Sequence, residues 1–156
     1  MMGKKYKGFS LIEILVVVAL IVILATITIV AINPGKNFRD TRNAQRSADV
    51  NALLSAVTQY TTDGKALPTG IAACTAEWDS GTPIGTGTGN INLASLLTGV
   101  EEGSDYMVGI PTDPGTGSGS TAGTTENTGY VICTIGTRVQ IAAPQAENEK
   151  EIAVRR

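Results

Sequence analysis

One carboxylate, Glu13, lies at the start of a long apolar stretch near the amino terminus. Behind it, residues 14–32 are nineteen consecutive positions without a charge. An ionised side chain at the centre of a membrane-spanning helix costs about 2.5–3.5 kcal/mol on insertion scales, so such a residue usually has a partner. The chemistry expected of Glu13 is therefore the pairing of its carboxylate with a cation in surroundings of low dielectric.

Catalytic chemistry has little support in the rest of the sequence. The chain of 156 residues contains no histidine, which removes the commonest general base and the commonest metal ligand. Serine and threonine are abundant, but a serine–histidine pair is excluded, and Lys65 lies in no motif that would activate a nucleophile. We therefore expect a protein that is not an enzyme.

Residues 9–32 have the length and composition of a membrane-spanning helix. About twenty apolar residues cross the roughly 30 Å hydrocarbon core, and this segment has twenty-four. A secretory signal peptide is disfavoured, because the apolar run is too long and no small-x-small cleavage site follows it. An ordinary signal anchor, and an apolar helix preceded by a short cleaved leader, remain. The flanking charges do not give the orientation, since three lysines precede the segment and four basic residues follow it: Lys36, Arg39, Arg42 and Arg46.

The residues around Glu13 resemble a known processing signal. Residues 7–16, Lys-Gly-Phe-Ser-Leu-Ile-Glu-Ile-Leu-Val, resemble the N-terminal cleavage and methylation signature of type IV pilins and pseudopilins. The resemblance implies that a prepilin peptidase cuts after Gly8 and that Phe9, the new N-terminal residue, is N-methylated. It also implies that Glu13 pairs with the N-terminal amine of a neighbouring subunit during assembly.

A second similarity extends beyond the apolar helix. Residues 42–50 and the stretch from Tyr106 to Pro114 look like the major G-type pseudopilins of type II secretion and related major pilins. The resemblance implies a structural subunit of a type IV pilus or secretion pseudopilus, which polymerises through its N-terminal helix. The implied partners are prepilin peptidase, copies of the same chain, other pilins and the inner-membrane assembly platform. The implied location is the inner membrane, with the globular domain outside the cytoplasm, and then an extracytoplasmic filament.

A non-polymerising, single-pass membrane-anchored binding domain is the alternative. Such a protein needs neither Glu13 nor a cleavable bond after Gly8. Glu13→Ala separates the two functions, because it should abolish incorporation into a filament but leave a simple anchor inserted.

The predicted fold class is α+β: a long N-terminal helix followed by a small antiparallel sheet of three to four strands, in a pilin-like roll. The leader is expected over residues 1–8, the transmembrane or filament-core helix over 9–32, and a globular pilin domain over 33–156. Asn33-Pro34-Gly35 interrupts the helical pattern, because proline lacks an N–H. An amphipathic helix is predicted over 36–62 by an apolar stripe that should pack on the sheet: Val50, Leu53, Leu54 and Val57.

The main strands are predicted within residues 106–143. Alternating apolar residues indicate two strands joined by a Gly136-Thr137 turn, and the tract 115–129, rich in Gly, Ser and Thr, is expected to be a surface loop. The predicted strands are Tyr106–Ile110, Tyr130–Ile135 and Arg138–Ala143, with Ile152–Val154 as a further edge strand.

The two cysteines, Cys74 and Cys133, both lie outside the apolar segment. An even pair in an exported domain indicates a disulfide; the alternative is two unpaired small hydrophobic residues.

Charged residues give three further expectations. Removal of the leader leaves nine Lys and Arg against fourteen Asp and Glu, which argues against a specific nucleic-acid partner. Calcium is the one cofactor that the resemblance raises, with Asp105, Asp113 and Glu126 as candidate ligands; solvated surface acids are the alternative. The four basic residues that follow the apolar segment recur every three or four positions, and should form a solvated stripe near lipid headgroups or bind acidic surfaces of neighbouring subunits.

Overall fold

The computed structural model describes residues 8–75, 77–96, 106–115 and 122–156. The four strands form one antiparallel sheet in chain order. The α+β class predicted from the sequence, with a helical N-terminal part and a small sheet after it, is confirmed. The elements are α1 (Leu11–Ile32), α2 (Pro34–Thr62), β1 (Thr82–Pro83), a 3₁₀ helix (Ala94–Leu96), β2 (Val131–Ile135), β3 (Arg138–Ala142) and β4 (Ala153–Arg155).

Asn33 separates the two helices: it ends α1 and caps the start of α2. Its φ of 47° is left-handed, a conformation that asparagine tolerates and that ends α1. Its Oδ1 accepts a hydrogen bond from Lys36 N at 3.3 Å, which caps the start of α2. Pro34 occupies the first helical position, where a missing N–H costs nothing. The helix predicted over 36–62 therefore begins two residues earlier than expected.

The chain divides into two compact units, Met1–Asn37 and Phe38–Arg156. The first holds α1, in which no residue is buried. The second has a hydrophobic core in which the predicted apolar stripe of α2 is buried, and fully burying one such side chain stabilises the fold by about 1.5–3 kcal/mol. The stripe packs in one cluster with residues of the sheet and its flanks: Ile84, Tyr130, Ile132 and Ile141.

The β2–β3 hairpin has the predicted turn. Ile135 pairs with Arg138, which leaves Gly136 and Thr137 between the strands. Gly136 has a φ of 61°, in the left-handed region that glycine enters at no steric cost. On the other side of β3, the edge strand β4 begins at Ala153, one residue later than predicted.

The strand predicted at Tyr106–Ile110 is wrong. These residues form bends and a single bridge residue, and Met107 N donates to Leu96 O at 3.2 Å. The strand that pairs with β2 on this side is β1. β1 is an edge strand, and it tolerates Pro83 because the outer side of an edge strand needs no N–H donor. A short apolar run does not distinguish a strand from an irregular segment. In the tract 115–129, residues 116–121 lie outside the described residues.

Cys74 and Cys133 form the predicted disulfide. The two residues are 59 positions apart, and closing a loop of this length stabilises by roughly 4 kcal/mol in the chain-entropy account. Cys74 N also donates to Thr134 O at 2.9 Å. The segment around Cys74 is therefore held on β2 by a covalent bond and by the backbone.

Candidate processing and assembly segment

The bond between Gly8 and Phe9 lies in an accessible, non-helical segment. Both residues precede α1, and Phe9 is 79% exposed. A Cβ built on Gly8 would meet no heavy atom of the described residues within 4 Å. Exposed chain with small residues, near a terminus, is where peptidases cut most readily. The local structure therefore leaves the predicted cleavage site open to an enzyme.

Glu13 lies in the first turn of α1. The Ser10 carbonyl accepts hydrogen bonds from Glu13 N at 3.1 Å and Ile14 N at 3.3 Å, and these bonds start the helix. A carboxylate in this turn is favoured by the partial positive charge of the helix N-terminus. Its side chain has no hydrogen bond or ion pair to any residue that the structure describes. The carboxylate is available to a partner from another molecule.

Beyond Glu13, the surface of α1 is apolar on all sides. None of its 22 residues is buried. The two threonine hydroxyls, of Thr26 and Thr28, donate to Val22 O and Leu24 O at 2.8 Å, so their polarity is satisfied inside the helix. By length and composition, α1 can cross a membrane. A helix that is hydrophobic all round requires a covering of lipid or protein.

An apolar helix of membrane-spanning length behind an accessible Gly–Phe bond indicates a membrane-anchored protein with an N-terminal processing signal. Residues 3–29 match the family model described as the prokaryotic N-terminal methylation motif. The chain therefore carries a type IV prepilin- or pseudopilin-like signature, as the residues around Glu13 indicated. No curated protein and no solved structure matches the chain.

Two of the four basic residues predicted to form a stripe are bound inside the second unit. Arg46 is fully buried. Its Nε and Nη2 donate to the two carboxylate oxygens of Asp113 at 2.7 and 3.0 Å, and its Nη1 donates to Asn43 Oδ1 and Glu147 Oε2. Arg42 donates two hydrogen bonds of 2.7 Å to Glu147. The expectation of a solvated stripe is therefore wrong for Arg46.

The spacing of Arg46 on α2 explains its burial. Arg46 lies four residues before Val50, and Asn43 lies seven before it, so both share the buried face of the helix. The spacing could have been noticed in the sequence, but a charge argues for exposure unless a partner is known. The partners, Asp113 and Glu147, follow 67 and 101 residues later, and no local pattern connects them to α2.

Pairing and burial shift the pKa values of this cluster. The hydrogen bonds from Arg42 above all, and also those from Arg46, lower the pKa of Glu147 to about 2. Burial works to lower the pKa of Arg46, but its hydrogen bonds to Asp113 and Glu147 outweigh that effect and raise the pKa. At neutral pH Glu147 is therefore ionised and both arginines are charged. Their ion pairs join α2 to the segments that contain Asp113 and Glu147.

The structure describes two of the three candidate calcium ligands. Asp113 is engaged by Arg46, and its Oδ1 also accepts from Gly115 N at 2.7 Å, so a cation would have to displace the guanidinium. Asp113 therefore does not fit as a ligand. Glu126 is exposed, and Asp105 lies outside the described residues. Among the described residues no group of three His, Cys, Asp or Glu could hold a metal ion; calcium binding by the other acids stays a prediction.

Proposed function

We propose that this protein is a structural subunit of a type IV pilus or of a type II secretion pseudopilus. A prepilin peptidase cuts the bond after Gly8, the new terminal Phe9 is N-methylated, and the subunit polymerises through α1. The observation that carries the proposal is the methylation motif at residues 3–29, followed by an apolar helix in which no residue is buried.

The proposed assembly rests on one ion pair. Cleavage creates an amine at Phe9, four residues before Glu13. At the membrane boundary both charges are poorly solvated, and pairing them offsets part of the desolvation cost. The spacing of four residues allows a pair within one helix, but a pair between neighbours also sets the register of the packed helices. Burial of the apolar surface, at ~25 cal/mol per Å², supplies the drive for packing once the subunits leave the lipid.

The proposed partners follow from this function. They are prepilin peptidase, copies of this chain, other pilins and the inner-membrane assembly platform. The subunit resides in the inner membrane as a single-pass protein, with the globular domain outside the cytoplasm, until it enters the filament. A non-polymerising anchored binding domain remains the second candidate, because α1 alone would serve as an anchor.

The intact mass of the protein from membranes of cells with and without a prepilin peptidase tests the proposal. We expect loss of residues 1–8 and one added methyl group in the cells that have the peptidase. Gly8→Val should block both changes, because a branched side chain then precedes the scissile bond, whereas Gly3→Val in the same leader should leave them intact. A full-length mass in both strains would instead support the anchored binding domain.

A further inference from the structure

A groove beside the Cys74–Cys133 disulfide has no role in the processing or assembly proposed above. Its volume is about 260 Å³. One wall is the loop that follows Cys74, and the other is formed by β4 and the residue two positions before it. The lining residues that matter chemically are Thr75, Glu77, Trp78, Gln140, Glu151 and Arg155.

The described residues of the loop that begins at Cys74 and carries Trp78 are held in place from several sides. The disulfide joins its first residue to β2. From β3, Gln140 Nε2 donates to Trp78 O at 2.9 Å. Within the loop, Thr75 N donates to Ser80 Oγ at 3.0 Å. A ligand that enters the groove would not have to order this wall, and such pre-organisation reduces the entropic cost of binding.

The groove carries unpaired groups of both charges. Within the part of the chain that the structure describes, the side chains of Glu77, Glu151 and Arg155 make no hydrogen bond or ion pair. Trp78, the one tryptophan of the chain, lies half-buried beside them. Carboxylates accept hydrogen bonds and a guanidinium donates them, so the groove offers both kinds of partner next to a flat apolar ring.

This combination favours a neutral, polyhydroxylated ligand. An anion such as phosphate is opposed by two carboxylates against one guanidinium. A cation is attracted by the carboxylates, but it has no acceptor for the N–H donors of Arg155, which would stay without a partner in the groove. A sugar ring has hydroxyls that both donate and accept, and a C–H face that packs on an aromatic ring. The small volume admits a single ring.

We propose that this groove binds one neutral sugar residue at the exposed end of a glycan. The carboxylates of Glu77 and Glu151 and the guanidinium of Arg155 bind its hydroxyls, and Trp78 packs on its apolar face. The binding does not depend on cleavage after Gly8, so it stands or falls separately from the function proposed above.

Fluorescence of Trp78 in the full-length protein tests this site. The protein is held in micelles of a detergent without sugar headgroups and titrated with the methyl glycosides of glucose, galactose, mannose and N-acetylglucosamine. We expect a saturable change with at least one glycoside and none with sorbitol at the same concentration. Glu151→Gln should weaken binding about tenfold, as expected when a charge-assisted hydrogen bond becomes a neutral one. Glu149→Gln, an exposed acid two residues earlier, should bind as the wild type does.

Three results would overturn the proposal. The first is no saturable response to any of the four glycosides, by fluorescence and by saturation-transfer NMR. The second is an equal affinity in the Glu149→Gln and Glu151→Gln proteins, since the groove would then not be the binding site. The third is a response to arginine methyl ester alone, which would assign the groove to a basic partner. Circular dichroism of both variants checks that they fold.

Discussion

Arg46 is a charged residue that is fully buried. All of its donors lie in the interior, where Asp113, Glu147, Asn43 and the carbonyl of Gly115 accept from them. Taking these charges out of water costs several kcal/mol per ion, and the pairing repays that cost only when the geometry is good. We therefore expect the cluster to contribute less to net stability than to the choice of one arrangement of α2 against the loop after Ile110.

Asp113→Asn should lower the free energy of unfolding by on the order of 3–5 kcal/mol, because it removes the fully buried one of the two carboxylates that pair with the Arg46 guanidinium and leaves only Glu147. Asp79→Asn removes an acid for which no ion pair is seen in the described structure, and should change stability by less than about 0.5 kcal/mol. Chemical denaturation in micelles measures both. Similar small losses in the two variants would show that Asp113 is not needed to hold Arg46.

Glu147 should make stability depend on pH in the acid range. Its pKa in the folded protein, about 2, lies below the ordinary 4.5. Its contribution is therefore complete above about pH 5 and is lost as the pH falls toward 2. Glu147→Gln should cost most stability at pH 6 and progressively less at pH 4 and pH 2.5.

Unfolding free energies of the wild type and Glu147→Gln at these three pH values measure the effect. Glu149→Gln, for which no ion pair is seen among the described residues, should show a gap from the wild type that hardly changes with pH. A gap for Glu147→Gln that stayed constant from pH 6 to pH 2.5 would contradict the assigned pairing with Arg42.

Among the helices and strands, α1 and α2 illustrate two uses of apolar surface. The apolar stripe of α2, formed by Val50, Leu53, Leu54 and Val57, is buried in the second unit. The apolar side chains of α1 cover every face, and none is buried. Since a helix of the second kind cannot be satisfied by one sheet, its covering has to come from lipid or from other helices.

Glu13→Gln should abolish incorporation into filaments while the protein stays in the membrane. The change removes a charge, and this lowers the cost of placing α1 in lipid, so insertion should be no worse. Carbonate extraction measures insertion, and the sheared filament fraction measures assembly. Glu13→Asp, which keeps the charge on a shorter side chain, should retain partial assembly. Filaments of Glu13→Gln at the wild-type level would favour the anchored binding domain.

For the molecule as a whole, the two units differ in how much of their structure can be predicted from the sequence. The first depends on neighbouring residues: a processing motif, a charge and an apolar run follow each other within residues 7–32. The second depends on contacts between distant residues. Its helix and its hairpin were predicted from periodicity and turn chemistry. The partner of β2 was not, because β1 pairs with β2 instead of the strand expected at Tyr106–Ile110. A short stretch of sequence does not show which of two distant segments will pair with a given strand.

The linear sequence was sufficient for the processing signal, the membrane-length helix, the apolar stripe of α2 and the β2–β3 turn, because each is encoded by one continuous stretch of the chain. The folded chain was needed to bury Arg46 with Asp113 and Glu147, and to place Trp78 beside β4. The desolvation cost of a buried charge is offset only when a partner from another part of the chain contacts it. The periodicity of the sequence does not reveal such long-range contacts.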